Sequence, residues 1–178
     1  NVAALVSSIN LMDATYRIDA SLKRSDRFKP DETQTGYETR LRFGDVSGNW
    51  QWAVLEEIRT DNYEINDLGF LQRSNQWRHY GEVSYQTFKP SGAINRMSHQ
   101  LFGVYESLYE PRSYEEFYLG WNSFWLMRNF LGTGFNIFAR PGETFDYFEP
   151  RRDGYRFAKP PFFTVSGFVS TDYRKTLA

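Results

Sequence analysis

Over most of this chain the side chains alternate in character with a period of two, and that alternation restricts the fold more than any other property. Tyr16, Ile18, Ala20 and Leu22 alternate with Arg17, Asp19, Ser21 and Lys23. Tyr37, Thr39, Leu41 and Phe43 alternate with Glu38, Arg40 and Arg42. Trp77, His79, Gly81, Val83 and Tyr85 alternate with Arg78, Tyr80, Glu82 and Ser84, and Phe117, Leu119, Trp121 and Trp125 with Glu116, Tyr118, Gly120 and Asn122. Successive side chains of a strand point to opposite sides, so each stretch has one apolar face and one polar face. Helical spacing would mix the two sets. The alternation predicts an all-β fold.

Composition sharpens this. Aromatic residues make up 19% of the 178 positions and charged residues 24%, while mean hydropathy is only -0.62. So many aromatics exclude a disordered chain. A net charge of -1 offers no basic field, so nucleic acid is not expected as a partner. The chain has no cysteine, which removes disulfides and thiolate chemistry. No run approaches the ~18 apolar residues of a spanning helix. The longest charge-free runs, Asn1–Met12 and Pro160–Thr171, hold 12 residues each. That is close to the ~9–11 residues of a membrane-spanning strand.

The pattern predicts about nine strands, near 2–10, 15–25, 37–45, 50–60, 76–88, 97–109, 114–127, 130–139 and 162–171. Short, turn-rich connections fall at Met12–Ala14, Val46–Asn49, Pro90–Asn95 and Arg128–Asn129, and longer ones at Ser25–Gln34, Asn62–Asn75 and Arg140–Pro161. Only Glu110–Ser113 is short where a long loop is due. Short turns at one end and long loops at the other describe an antiparallel up-and-down transmembrane β-barrel of the outer-membrane type.

A soluble β-barrel or sandwich, binding saccharide or lipid through aromatic surfaces, is the alternative, since it too has period-two strands. Three features favour the membrane barrel. The strands are long beside the usual five or six residues. Aromatic residues gather on the apolar faces and at strand ends, as in interfacial girdles: Trp50, Trp52, Trp77, Tyr85, Phe117, Trp121 and Trp125 form the expected membrane-facing belt. The opposite faces mix charges of both signs, with Arg17, Asp19, Lys23, Arg40, Arg42, Arg78, Glu82 and Glu116 expected to line a wet interior.

Three blocks carry a family resemblance: Asn66-Asp67-Leu68-Gly69-Phe70-Leu71-Gln72-Arg73, Tyr147-Phe148-Glu149-Pro150-Arg151 and Ser170-Thr171-Asp172-Tyr173-Arg174-Lys175. From about Thr35 onward the chain resembles the C-terminal region of a bacterial family of unknown function. Its members join a periplasmic module similar to family-nine carbohydrate-binding domains to an outer-membrane β-barrel. The resemblance implies a Gram-negative outer-membrane location, and any saccharide role would come by analogy alone. The chain begins as though already within a strand and ends without a closing apolar strand, so it reads as a piece of a longer protein. Its two outer strands are expected to pair beyond the piece, in a barrel on the order of 14 strands or more.

Catalytic motifs are sparse. His79 and His99 lack zinc-ligand spacing, and His79 falls on an aromatic face where packing explains it. No Gly-x-Ser-x-Gly elbow is present. Gly132-Thr133-Gly134 sits in a strand with no following helix, so close strand packing is expected rather than a phosphate loop. Adjacent carboxylates, Glu56 with Glu57 and Glu115 with Glu116, are expected on opposite faces, and Glu82 is a candidate cross-strand partner of Glu106 or Glu116. Asp61, Glu64, Asn66 and Asp67 crowd oxygen ligands without calcium-loop spacing, as in a solvated acidic turn. In the last long loop Tyr147, Phe148, Glu149, Arg151, Arg152, Asp153, Tyr155 and Phe157 combine rings with charges, a mixture that binds sugars or peptides and also pins a loop to its own barrel. The expectation is a non-enzymatic membrane protein without cofactor. Its partners are the lipid bilayer, other envelope proteins and a saccharide.

Overall fold

The computed structural model describes residues 1–65, 73–152 and 154–172. Eight strands follow one another as antiparallel neighbours: β1 (Val2–Leu11), β2 (Tyr16–Phe28), β3 (Thr33–Asp45), β4 (Trp50–Arg59), β5 (Gln76–Gln86), β6 (Ile94–Ser107), β7 (Tyr114–Met127) and β8 (Gly132–Arg140). A small hairpin of β9 (Thr144–Asp146) and β10 (Phe157–Lys159) then leaves the sheet, and β11 (Phe162–Ser170) returns to pair with β8. The result is a nine-stranded up-and-down sheet, not closed into a barrel, with β1 and β11 at its edges.

The register converts the sequence alternation into two continuous faces. Trp50 lies across from Tyr85, Trp52 from Val83, Trp77 from Ile58, Phe117 from Tyr105, Trp121 from Leu101 and Trp125 from Met97. Because directly paired residues share a face, all seven aromatic residues named for the belt lie on one side of the sheet. All five tryptophans of the chain are among them. Rings touch along both ends of this side, as in Trp50–Tyr85 at 4.8 Å and His99–Trp125 at 4.9 Å near the short turns, and Trp77–His79 at 4.9 Å and Tyr105–Tyr114 at 5.7 Å near the long loops. Leu41, Val54, Leu101 and Leu119 fill the middle and stay exposed. Glu56 is an exception on this side, and Trp77 Nε1 donates to its Oε1 at 2.7 Å.

The opposite face holds all eight charged residues named from the sequence. Asp19 pairs with Arg42, Ser21 with Arg40, and Arg40, Glu57, Arg78, Glu106 and Glu116 form one row across β3–β7. Burial is correspondingly inverted. Among the described residues the buried hydrophobic side chains are Ala53, Tyr63, Val104 and Leu108, whereas eight polar side chains, including Glu38, Glu106 and Glu115, are buried. No sandwich-type apolar core closes among the described residues. The expected close packing at Gly134 is present: a Cβ there would lie 2.6 Å from the Ser123 carbonyl and 2.7 Å from the Phe168 ring.

Four expectations need correction. Ser25–Gln34 is not a long connection, because β2 runs to Phe28 and β3 starts at Thr33. These strand ends are polar, and polarity hides a strand where it leaves the apolar band. Lys29 and Glu32 close the turn with a backbone bond of 2.8 Å and an ion pair of 3.1 Å. The last long loop is not free of strands, since β9 and β10 are only three residues each and too short to show periodicity. Glu115 and Glu116 do not simply alternate: the register shifts between Glu106 and Ser107, making Glu115 an extra residue in β7. Finally, Glu82 lies across from Phe102, and it is Glu106 and Glu116 that face each other directly.

Candidate functional site

The polar face is densest at the end carrying the long loops. Lys23, Glu38, Arg59 and Gln76 make one cross-strand row, and the row of Arg40, Glu57, Arg78, Glu106 and Glu116 lies beside it. Charges alternate along most of both rows, which favours their pairing. Arg59 Nε meets Glu38 Oε2 at 2.7 Å and Arg59 Nη2 meets Glu57 Oε1 at 2.6 Å, while Lys23 also pairs with Glu38. Gln76 links this group to the next, accepting from Arg59 Nη1 at 2.9 Å and donating to Glu106 Oε2 at 2.8 Å.

Glu106 and Glu116 break the alternation. Like charges directly opposite destabilise a sheet, and three arginines offset them. Arg73, at the end of the β4–β5 connection, reaches Glu106 at 2.8 Å and Glu115 at 2.9 Å. Arg78 reaches Glu106 at 3.2 Å, and Arg140 reaches Glu116 at 3.2 Å. The bulge in β7 turns Glu115 toward Arg73, so one guanidinium serves two carboxylates. Glu82, nearer the short turns, is held by Arg42 at 3.0 Å, Tyr80 Oη at 2.6 Å and Gln100 Nε2 at 2.5 Å.

Two long connections fold onto this face. The first is residues 60–65: its Glu64 N–H donates to Ser25 Oγ at 3.0 Å, and Tyr63 is buried. Gly36 permits the approach, since a Cβ there would lie 2.2 Å from Tyr63 N. The second is the β8–β11 connection. Tyr147 donates its hydroxyl to the Tyr114 carbonyl at 3.0 Å, and the Arg73 guanidinium sits over the Phe148 ring at 5.2 Å. Asp146 organises the turn between these contacts. Its Oδ1 accepts from the Phe148 and Glu149 N–H groups, both at 3.0 Å, and its Oδ2 takes Lys159 Nζ at 2.8 Å. The Lys159 bond, then the turn's own N–H groups, hold the Asp146 carboxyl down at about 2, below its usual 3.8.

Between this turn and the sheet lies a cavity of about 570 Å³, walled by Arg78, Glu106, Glu116 and Tyr118 and roofed by Phe148, Glu149 and Arg151. Of the eight loop residues named from the sequence, Phe148, Glu149 and Arg151 therefore reach the cavity, Tyr147 pins the loop, and Phe157 opens β10 and is exposed. Arg152 and Tyr155 do not take part; they stack on each other at 4.5 Å, both exposed. Sequence reasoning named Glu115 only as a carboxylate adjacent to Glu116, and passed over Arg73, Gln76, Arg140 and Asp146 as site residues. Arg73 closes a family-resembling block, the only advance signal among them. Asn66, Asp67, Asp153 and the Tyr173–Lys175 segment lie outside the described residues. Among the described residues no group of three or more His, Asp or Glu is arranged to hold a metal ion, and no helix is long and apolar enough to cross a membrane, which has no bearing on strands.

Fold and site together define an all-β protein built as an up-and-down antiparallel sheet with one open aromatic face and one ion-paired face partly covered by its own loops. The chain belongs to the family described as a domain of unknown function (DUF5916), whose model matches residues 1–178. The match therefore begins well before Thr35. Neither the curated proteins nor the solved structures contain a match to the chain.

Proposed function

We propose that this chain is part of an integral outer-membrane β-barrel of a Gram-negative envelope, a non-enzymatic protein serving as a pore, a membrane anchor or a subunit of an envelope complex. In this proposal the tryptophan-bearing face meets lipid and the ion-paired face meets an aqueous interior. The observation that carries it is the exposed apolar side of the sheet, with Trp50, Trp52, Val54, Leu101, Leu119 and Trp121 all open. Removing such side chains from water is worth roughly 1.5–3 kcal/mol each, and a lipid environment supplies that gain without a second protein layer. Spacing agrees. Trp77 and Tyr85 stand eight residues apart on β5, about 27 Å along a strand at ~3.4 Å per residue. A tilt of ~40° shortens this to about 21 Å along the membrane normal, which fits within the ~25 Å apolar band of outer-membrane barrels. The loops folded over the ion-paired face favour a narrowed passage or a closed anchor over a wide pore. A periplasmic module similar to family-nine carbohydrate-binding domains, implied by the resemblance, would precede the barrel.

The test is made on the full-length protein. Heat-modifiable migration in detergent and quenching of tryptophan fluorescence by brominated lipids are expected together, since every tryptophan of this segment lies on the proposed lipid side. A water-soluble monomer recovered without detergent, with tryptophans untouched by brominated lipid, would refute the membrane location and return the soluble saccharide- or lipid-binding alternative. Conductance in planar bilayers then separates a pore, which gives channel steps, from an anchor, which gives none.

A further inference from the structure

We propose that the cavity beneath the Asp146–Arg151 turn binds a neutral, polyhydroxylated solute of saccharide type, about the size of two or three sugar rings. Its volume of about 570 Å³ falls within the ~300–1,000 Å³ of small-molecule sites. The charges of its wall are already compensated within the protein. Arg73 is shared by Glu106 and Glu115, Arg78 serves Glu106, and Arg140 serves Glu116. Side-chain exposure is 7% for Glu106 and 2% for Glu115. A charged solute seated against this wall would have to displace one partner and strand the other in a buried position, which is strongly unfavourable. Among the described residues the two unpaired charges of the roof, Glu149 and Arg151, are of opposite sign and so favour neither an anion nor a cation.

Hydroxyl groups face no such obstacle. Each donates to a spare carboxylate lone pair and accepts from an N–H or O–H, so it adds to an ion-paired wall without dismantling it. Tyr118 already accepts from Arg78 Nη2 at 3.3 Å, which leaves its own O–H to donate. The rim supplies the remaining groups. Among the described residues, the Glu149 carboxylate and the Arg151 guanidinium make no ion pair or side-chain hydrogen bond, and both border the cavity. Phe148 is 38% exposed even with Arg73 over its ring, so apolar surface stays open for the C–H face of a sugar. Asp146 fixes the geometry by tying down the N–H groups of Phe148 and Glu149, which presents the roof as a formed surface. The inference rests on the cavity's chemistry and stands apart from the membrane proposal.

The experiment is calorimetric titration of the full-length detergent-purified protein with maltotriose and cellotriose, and with glucuronate and glycylglycine as charged comparators. Saturable binding of at least one neutral trisaccharide is expected, with the comparators weaker. Phe148→Ala and Glu149→Gln should each weaken it about tenfold or more, the loss of one good contact, while Phe148→Tyr retains it. Lys89→Ala, on the opposite short turn, should leave affinity unchanged. If Phe148→Ala does not fold, Glu149→Gln and Phe148→Tyr still decide the matter. No binding of either trisaccharide at tens of millimolar, tighter binding of a comparator, or affinity indifferent to Glu149→Gln would overturn the proposal. None of these readouts depends on lipid quenching or conductance, so its failure and that of the membrane proposal remain separable.

Discussion

Arg73 shows how one side chain holds the polar face together. It is 26% exposed and bridges two carboxylates, of which Glu115 is 2% exposed. Removing one member of a buried pair leaves the other uncompensated, at a cost of about 3–5 kcal/mol. Arg73→Ala is therefore expected to destabilise the folded protein by about that amount in urea unfolding, a loss much larger than that of an exposed ion pair. Adding Glu115→Gln should restore part of it by removing the stranded charge. If the double variant is no more stable than Arg73→Ala alone, Glu115 is not the stranded partner. The exposed Arg24–Asp26 pair is the contrast, because its geometry is close at 2.9 Å yet water screens it.

At the scale of elements, the strands form a frame and the connections close over it. Gly36 is where the β4–β5 connection touches the sheet, and a Cβ would fall 2.2 Å from Tyr63 N and 2.3 Å from its Cα. Backbone cannot yield as a flexible side chain can, so Gly36→Ala should lift this connection at a cost of about 1–3 kcal/mol or more. Faster trypsin cleavage at Arg59 and Arg73, with the strand signal in circular dichroism intact, would report it. The β8–β11 connection carries a pH dependence instead. Asp146 has its folded value lowered from 3.8 to about 2, first through the Lys159 bond. A lowered carboxylate contributes stability that is full above its unfolded value and is lost as pH falls through the folded one. The turn should thus stay ordered at pH 5 and loosen toward about pH 2, read as rising hydrogen exchange at Phe148 and Glu149. In Asp146→Asn that acid step should disappear; its persistence would point to another group.

For the whole molecule the open edges matter most. Among the described residues β1 pairs only with β2, and β11 only with β8. Every residue of β1 is exposed, with Leu5 at 69% and Val6 at 73%. In hydrocarbon each unpaired backbone group costs several kcal/mol, so the membrane proposal requires further strands, or other copies, at both edges. Residues 1–178 expressed alone should therefore aggregate or stay unfolded in detergent, while the full-length protein gives a heat-modifiable band. A stable, heat-modifiable monomer of the segment alone would show that these edges need no partner.

Much of this architecture was legible in the chain. Alternation alone specified all-β, nine main strands and the membership of each face, because a strand sends neighbouring side chains to opposite sides whatever surrounds it. Trp121 and Leu119 could not share a face with Glu116 and Tyr118 in any regular strand. Local pattern loses its force where polarity or brevity masks the period, as at Arg27–Phe28 and in β9. Three facts came only with the tertiary structure: the bulge at Glu115, the double use of Arg73, and the return of the Asp146–Arg151 turn over Glu106 and Glu116. Each depends on contacts between residues dozens of positions apart, such as the 42 separating Arg73 from Glu115. Period two is a property of one strand, whereas a cavity belongs to the way strands and loops meet.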